Sequence, residues 1–399
     1  MKNYFLLLGV LFTLLSCSDD KDYISTGGGS GPDSQGNIIS LPDVAYNYSN
    51  PDFPDYFFID DNGGLPSSVN GIDNTPSDNE ITDAGATLGR VLFYDKNLSA
   101  NRTTACGSCH RPEKAFADSS PLSQGLHGEN TKRNAMTMVN LRFYKRGHFF
   151  YDERAETLEL QVLMPILDQK EMALTEPEIT QRVAEQPYYS MLFIKAFGSS
   201  SVTTDRISKA LSQFIRSMVS YTSKYDEGRA QVANMADPFP NFSQQENRGK
   251  ELFLKPVTQG GVGCYSCHTT EAFVSPNIGP VNNGLDAVTT NDEGAYDHYG
   301  TDPYKGKFKI PTLRNIVLTS PYMHDGRFSS LVEVIDFYDS GVQDHPNLSP
   351  ALKDTDGQPR KLHLSQQDKS ALMLFLNTLT DTEMTHDVKF SDPFINQHL

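Results

Sequence analysis

The chain has 399 residues, of which 38% are hydrophobic and 21% are charged, and its formal net charge at pH 7 is −16. This length exceeds the needs of one small domain and suits two domains. The acidic charge argues against nucleic acid as a partner, because phosphate recognition needs a basic surface. An acidic surface would suit a basic protein partner through electrostatic steering, although it can equally serve solubility alone.

The N-terminal segment is typical of an export signal. Lys2 supplies positive charge, and residues 4–15 form an apolar stretch too short to span a bilayer. Cys17 follows a small residue, as in a lipobox, so we expect residues 1–16 to be a lipoprotein signal peptide and Cys17 to be lipidated. Residues 17–40, rich in glycine and serine, predict a flexible tether. The sequence therefore predicts an exported protein whose lipid anchor is its only membrane contact, on the periplasmic side or the cell surface.

Four of the five cysteines lie in two C-x-x-C-H motifs, and the fifth is Cys17, so no pair remains for a structural disulfide. In such a motif both thiols add to the haem vinyl groups and the histidine ligates the iron. One motif alone would also fit a zinc or redox site, but two copies in an exported chain favour haem. The sequence predicts two covalently bound haem c groups, attached at Cys106, Cys109, His110, Cys264, Cys267 and His268.

Two related halves follow the tether. Similar segments beginning at Gly89 and Gly249 precede the two motifs, about 160 residues apart, which indicates a duplicated domain rather than a solenoid. Ser243 with Glu246 forms a capping box, and strand-like alternation is scarce. The prediction is a mainly α fold of two cytochrome c-like domains, each wrapped around one haem. The proline-rich boundary divides residues 41–236 from residues 237–399.

Residues 80–381 resemble the bacterial di-haem cytochrome c peroxidases and their MauG-like relatives. The resemblance rests on motifs that occur in order around both haem sites: Gly89-Arg90-x-Leu92-Phe93-Tyr94-Asp95, Arg133-Asn134-Ala135, Phe150-Tyr151-Asp152-x-Arg154-Ala155, Glu171-Met172, Pro311-Thr312-Leu313-Arg314-Asn315 and Pro321-Tyr322-Met323-His324-Asp325-Gly326-Arg327. It implies that the N-terminal haem is the peroxidatic one and that the C-terminal haem relays electrons.

For the N-terminal haem, the resemblance places Glu171 as the distal acid/base, a role that fits the need to move a proton during O–O cleavage. Gln161 matches a glutamine that lines the same pocket. His127 lies where some members carry a histidine that caps the oxidised iron, but a solvated loop histidine is an open alternative. An ordinary surface glutamate would be the alternative for Glu171.

For the C-terminal haem, Tyr338 falls where the standard peroxidases have a methionine ligand and where MauG has a tyrosine. A phenolate would lower the haem potential, which weakens the expectation of a small cytochrome as electron donor. A core aromatic residue is the alternative. Tyr151 stands where the family has a tryptophan between the haems, and this chain contains no tryptophan.

The resemblance also implies one Ca²⁺ between the haems, held by the side chain of Asn134 and the carbonyls of Thr319 and Pro321, a ligand type that suits this ion. His324 follows in the same loop and is expected near the peroxidatic pocket. The leading hypothesis is a peroxidase that reduces hydrogen peroxide to water with electrons from a donor protein. The alternatives are a MauG-like oxidase of a protein or small substrate and a non-enzymatic electron-transfer cytochrome. Family members are often homodimers.

Overall fold

The computed structural model describes residues 37–61 and 64–396, and the predicted signal peptide, Cys17 and most of the tether lie outside them. The described residues are mainly helical, as predicted, with many irregular loops. One two-stranded antiparallel sheet joins β1 (Asn37–Ile39) to β2 (Phe394–Asn396) in the register Ile38 to Ile395. The helices are α1 (Asp83–Tyr94), α2 (Cys106–Cys109), α3 (Leu158–Gln161), α4 (Met164–Leu167), α5 (Glu176–Ala184), α6 (Tyr189–Phe197), α7 (Thr204–Arg216), α8 (Lys224–Arg229), α9 (Gln244–Leu254), α10 (Tyr296–Tyr299), α11 (Leu331–Asp336), α12 (Gln366–Thr378) and α13 (Thr382–His386).

The helix starts follow the capping chemistry of the sequence. The amide of Glu246 donates to the Ser243 hydroxyl at 3.2 Å and the Glu246 carboxylate accepts from the Ser243 amide at 2.6 Å, which confirms the capping box of α9. Thr203 caps α7 and Ser365 caps α12 in the same way, through their hydroxyls. Each of these contacts satisfies an amide that would otherwise lack a partner at the helix end.

Two closely packed helix pairs organise the structure, and a glycine lies at each crossing. A Cβ atom on Gly89 of α1 would lie 2.0 Å from the carbonyl oxygen of Ala210 on α7. A Cβ atom on Gly249 of α9 would lie 1.9 Å from the carbonyl oxygen of Ala371 on α12. Only glycine allows backbones to approach this closely. The two related segments that begin at Gly89 and Gly249 therefore make the same kind of helix crossing in both halves of the chain.

The loops that follow the two C-x-x-C-H motifs are also held alike. Thr137 donates its hydroxyl to the Ala115 carbonyl at 2.6 Å, and Thr312 donates to the Ala272 carbonyl at 2.8 Å. Asn140 and Asn315 both adopt a positive φ, of 60–61°, which asparagine tolerates better than most residues. Each half of the chain thus repeats one set of packing contacts around its motif.

The two main hydrophobic clusters each draw on a distant part of the chain. The cluster around α1 and α7 includes Met384 and Phe390 near the C-terminus, whereas the cluster around α9 and α12 includes Tyr225 and Met235. The chain therefore crosses between the clusters more than once, and the boundary between residues 236 and 237 stays a prediction.

A buried network of charges supports the loop after the second motif. Arg314 is fully buried and donates to both carboxylate oxygens of Asp226, at 2.6 and 2.9 Å. Arg229 pairs with Glu271 at 2.8 Å, and burial raises the pKa of Glu271 to about 7. Because a buried charge that loses its partner is costly, this network fixes the segments on both sides of it.

Along residues 37–61 and 64–396, none of the helices has the length and apolar character needed to cross a bilayer.

Candidate active site

The first C-x-x-C-H motif forms one wall of a cavity. Cys106 to Cys109 make the short helix α2, and His110 follows it. The Nδ1 atom of His110 lies 2.8 Å from the carbonyl oxygen of Phe116, which orients the ring and leaves Nε2 free to ligate a metal. Burial lowers the pKa of His110, so the imidazole is neutral, the form that binds iron.

The opposite part of this cavity, called the Glu171 cavity below, carries Gln161 and Glu171 among apolar side chains. The apolar lining residues are Val162, Met172, Leu211 and Ile215. Two thiols and an imidazole beside apolar side chains are a donor set that fits a covalently attached haem, because its macrocycle is apolar and its iron needs the histidine.

A tight turn fixes Glu171. The carbonyl of Asp168 accepts hydrogen bonds from the amides of Glu171 at 3.1 Å, Met172 at 3.1 Å and Ala173 at 2.9 Å. Met172 is buried in the first hydrophobic cluster, which holds its neighbour in place. Burial raises the pKa of Glu171, and the nearby negative charge of Asp168 raises it further, whereas Arg154 lowers it. A carboxyl group with a raised pKa is suited to both accepting and returning a proton near neutral pH.

The structure places His127 outside the lining of the Glu171 cavity. It is exposed at the tip of the turn between Gln124 and Asn130, and it does not line the Glu171 cavity, although Gln124 and Gly125 do. The amide of Leu126 donates to the carbonyl of Lys170 at 2.7 Å, so the turn is attached next to Glu171. Ligation of iron by His127 stays a prediction.

The second C-x-x-C-H motif begins with a short turn, Cys264–Ser266, and His268 places its Nδ1 atom 3.1 Å from the carbonyl oxygen of Pro311. Burial lowers the pKa of His268 to about 4. Tyr338 lies in a π-helical turn, Phe337–Gly341, that follows α11. Turns of this type are frequent at functional sites.

Tyr338 lies close to the second motif. Burial raises the pKa of its phenol to about 12, and Cys267 and Cys264 are near enough to add to this effect. The Asn283 side-chain amide donates to the Tyr338 hydroxyl at 3.4 Å and to the sulfur of Met323 at 3.6 Å. Sequence analysis missed Asn283, because it lies in a loop without periodicity. Met323 belongs to a motif that carries the family resemblance, but it was not assigned to this site.

Tyr151 contacts the segment that contains Phe308 and Lys309, and its place between the haems stays a prediction. Its ring meets Phe308 edge to face, with centroids 6.4 Å apart, and its carbonyl accepts from the amide of Lys309 at 2.7 Å. Pro311, whose carbonyl oxygen lies 3.1 Å from the Nδ1 atom of His268, is two residues after Lys309. Lys309 is buried with its Nζ atom 3.7 Å from the centre of the Tyr144 ring, and burial lowers its pKa to about 7. Sequence analysis missed Phe308 and Lys309, since isolated aromatic and basic residues in a loop carry no distinctive signal.

The predicted calcium site comprises Asn134, Thr319 and Pro321. The amide of Asn134 donates to the carbonyl of His324 at 2.8 Å, which joins its segment to the loop that contains Thr319 and Pro321. Its side-chain nitrogen donates to the carbonyls of Ser120 and Pro121, at 3.2 and 3.1 Å. In the described residues no cluster of three or more His, Cys, Asp or Glu side chains is placed to hold a metal ion. Calcium binding by Asn134, Thr319 and Pro321 stays a prediction.

His324 lines a second cavity, separate from the residues that line the Glu171 cavity. Its ring stacks on Phe308 with centroids 3.7 Å apart and planes at 12°.

The family described as di-haem cytochrome c peroxidase matches residues 83–233. The methylamine utilization protein MauG of Methylorubrum extorquens is 30% identical over 305 residues, covering 76% of this chain and 80% of that protein. The cytochrome c551 peroxidase of Nitrosomonas europaea is 34% identical over 252 residues, covering 63% of this chain and 71% of that protein. A crystal structure of a MauG-like protein associated with microbial copper homeostasis is similar with a TM-score of 0.71 and 31% identity, covering 86% of this chain and 99% of that one. The chain therefore belongs to the di-haem cytochrome c peroxidase and MauG family and is an oxidoreductase of that family.

Proposed function

We propose that the protein reduces hydrogen peroxide to water at the first C-x-x-C-H site, with electrons relayed from the second. One observation carries this proposal: Glu171, a carboxyl group with a raised pKa, shares a cavity with His110 and both thiols of the first motif. A pure electron-transfer centre has no need of a buried acid/base group beside it. The peroxidases among the relatives support the same reading.

The proposal assigns one covalent haem c to each half of the chain. Cys106, Cys109 and His110 would hold the first, and Cys264, Cys267 and His268 the second. The repeated glycine crossings and loop contacts support two cytochrome c-like domains. When bound, the haems supply iron that exchanges electrons with peroxide at the first site and with the donor at the second.

The side chains of the Glu171 cavity have distinct tasks. Ionised Glu171 takes a proton from hydrogen peroxide and returns it to the leaving oxygen, which drives heterolysis of the O–O bond. Gln161 orients the peroxide by a hydrogen bond. Val162 and Leu211, with the other apolar lining, exclude bulk water and so strengthen these polar contacts.

The segment between the motifs provides a short connection for electrons. It runs from Tyr151 through its hydrogen bond to Lys309, along the backbone to Pro311, and through a second hydrogen bond to His268. Tyr151 would replace the tryptophan of other family members in this role.

A MauG-like oxidase is the second candidate, and the position of Tyr338 favours it. A tyrosine close to Cys264 and Cys267 is placed to give the second iron an anionic oxygen ligand. Such a ligand stabilises oxidised iron and would let the protein act on an organic or protein substrate. Several of the relatives are named MauG.

Further parts of the proposal rest on the sequence. They are a Ca²⁺ ion at Asn134, Thr319 and Pro321, export with a lipid anchor at Cys17, and a protein electron donor such as a small cytochrome. We also propose that the protein forms a homodimer.

The experiment that tests the function is peroxide turnover by the di-haem protein with Glu171→Gln. Removing the acid/base group should lower kcat by about 100-fold or more, because general acid–base catalysis contributes roughly 10²–10⁴. Glu176→Gln is the matched control, since Glu176 is exposed on α5 and touches no part of the cavity lining. Turnover by Glu171→Gln at the rate of this control would remove Glu171 from its assigned role.

A further inference from the structure

The second cavity, of about 260 Å³, contains no residue of either C-x-x-C-H motif. Thr131 lines the Glu171 cavity, whereas the next residue, Lys132, lines this one, so a single strand of chain separates the two. A concave space of this size is suited to a small molecule rather than to a protein surface.

Two residues in the wall of the second cavity connect it to the second haem site. Asn283, part of its wall, donates to the hydroxyl of Tyr338 at 3.4 Å. Phe308, also part of its wall, is three residues before Pro311, whose carbonyl holds His268. Phe308 also contacts Tyr151. A molecule in this cavity would therefore be well placed to give electrons to the second site.

The charged groups of the cavity neutralise one another. Arg327 donates to Asp286 at 2.9 and 3.0 Å and to Asp325 at 2.7 Å. Asp292 is held by Arg133 at 2.6 and 2.7 Å. Lys132, the remaining charged residue of the wall, pairs with Asp292 at 3.5 Å and with Asp297 at 2.5 Å. Every charged group of the wall thus has a partner of opposite sign, and the chain's net charge of −16 disfavours an anionic ligand.

One polar side chain remains available to a ligand. His324 is only 8% exposed, and its ring makes no hydrogen bond to any part of the chain that the structure describes. A buried polar group is normally paired, so an imidazole left in this state at a cavity wall indicates an external partner. A ligand hydroxyl group could donate to one of its ring nitrogens.

We propose that the second cavity binds a small neutral dihydroxybenzene, a hydroquinone, as an electron donor, with His324 hydrogen-bonded to one hydroxyl. The inference rests on the proposed peroxidase function and adds a small-molecule reductant to the protein donor proposed above. Hydroquinone loses two electrons and two protons and becomes benzoquinone, and its protons leave through the open cavity to solvent. Hydrogen peroxide gains two electrons and two protons, its O–O bond breaks, and two water molecules form.

The test compares two tryptophan substitutions in one loop of the di-haem protein. Thr290→Trp fills the cavity entrance, because Thr290 is an exposed residue of its wall. Val288→Trp is the control, since Val288 is 67% exposed and does not line the cavity. Peroxide-dependent formation of benzoquinone is followed by absorbance, and binding of the redox-inert isomer resorcinol is measured by calorimetry.

Thr290→Trp should raise the KM for hydroquinone, and the Kd for resorcinol, by about tenfold or more relative to Val288→Trp, as expected when ligand binding is blocked. Equal values in the two variants would overturn the inference. Wild-type protein that reduces peroxide with the dye ABTS but not with hydroquinone would overturn it and leave the peroxidase function standing. Wild-type protein that reduces peroxide with neither of these donors and also not with a reduced small cytochrome would instead refute the proposed function, whereas the resorcinol measurement would still decide whether the cavity binds the ligand.

Discussion

Replacing Gly249 by alanine tests whether the close helix crossing holds the second half of the protein together. The new Cβ atom would lie 1.9 Å from the Ala371 carbonyl oxygen and 2.8 Å from the Cβ atom of Phe375. Normal contacts exceed 3 Å, so α9 and α12 would have to separate by more than 1 Å. Because the nearest atom belongs to backbone, no side-chain rotation can relieve the clash.

The expected change in the free energy of unfolding follows from two opposing effects. Overpacking a core contact costs about 1–3 kcal/mol, and a clash with backbone belongs at the upper end of that range. Alanine in place of glycine favours a helix by about 1 kcal/mol. The net loss in the free energy of unfolding is therefore about 2 kcal/mol, which lowers Tm by roughly 4–8 °C for a unit of this size.

Thermal unfolding followed by circular dichroism measures this change. Gln245→Ala is the control on the same helix, because Gln245 is exposed and its replacement should change Tm little. Gly89→Ala should destabilise α1 against α7 in the same direction, since its Cβ atom would lie 2.0 Å from the Ala210 carbonyl oxygen. A Gly249→Ala protein as stable as Gln245→Ala would show that the crossing is not as close as described.

Three further substitutions test the sites. Asp168→Asn removes a negative charge that raises the pKa of Glu171 but can keep the hydrogen bond from the Lys170 amide, so the pKa of Glu171 should fall. Since turnover needs ionised Glu171 and is lost as pH falls through this pKa, the acid limb of the pH–rate profile should move to lower pH, and a shift to higher pH would contradict the assignment. Tyr338→Phe should change the ferric absorption spectrum of one haem and raise its reduction potential, because an anionic ligand is lost; an unchanged spectrum and potential would make Tyr338 a packing residue. His127→Ala should leave the ferric spectrum and peroxide turnover unchanged, since His127 is exposed and outside the cavity lining, and loss of a low-spin signal would instead show that it ligates iron.

Local sequence patterns predicted the parts of the fold that depend on local chemistry. The capping box at Ser243 and Glu246 follows from hydrogen bonding within a few residues. The resemblance to the family placed Glu171 and Gln161, and the structure brings both to one cavity with His110.

Other features depend on how distant loops meet, and local patterns do not encode them. Tyr338 lies in a π-helical turn, and its partner Asn283 comes from a loop 55 residues earlier. His324 stacks on Phe308 in the wall of the second cavity, and its expected proximity to the peroxidatic pocket stays a prediction. Such contacts arise only when the loop before α11 folds back over the segment that contains Tyr151.

The most direct test of the central claim is cyanide and peroxide binding to the ferric di-haem protein, followed by electron paramagnetic resonance and absorption spectroscopy. If the first site is open to peroxide and the second is closed by a protein ligand, one high-spin haem should respond to each reagent and the other should not. Two low-spin haems that ignore both reagents, even after partial reduction, would contradict the assignment of an enzyme.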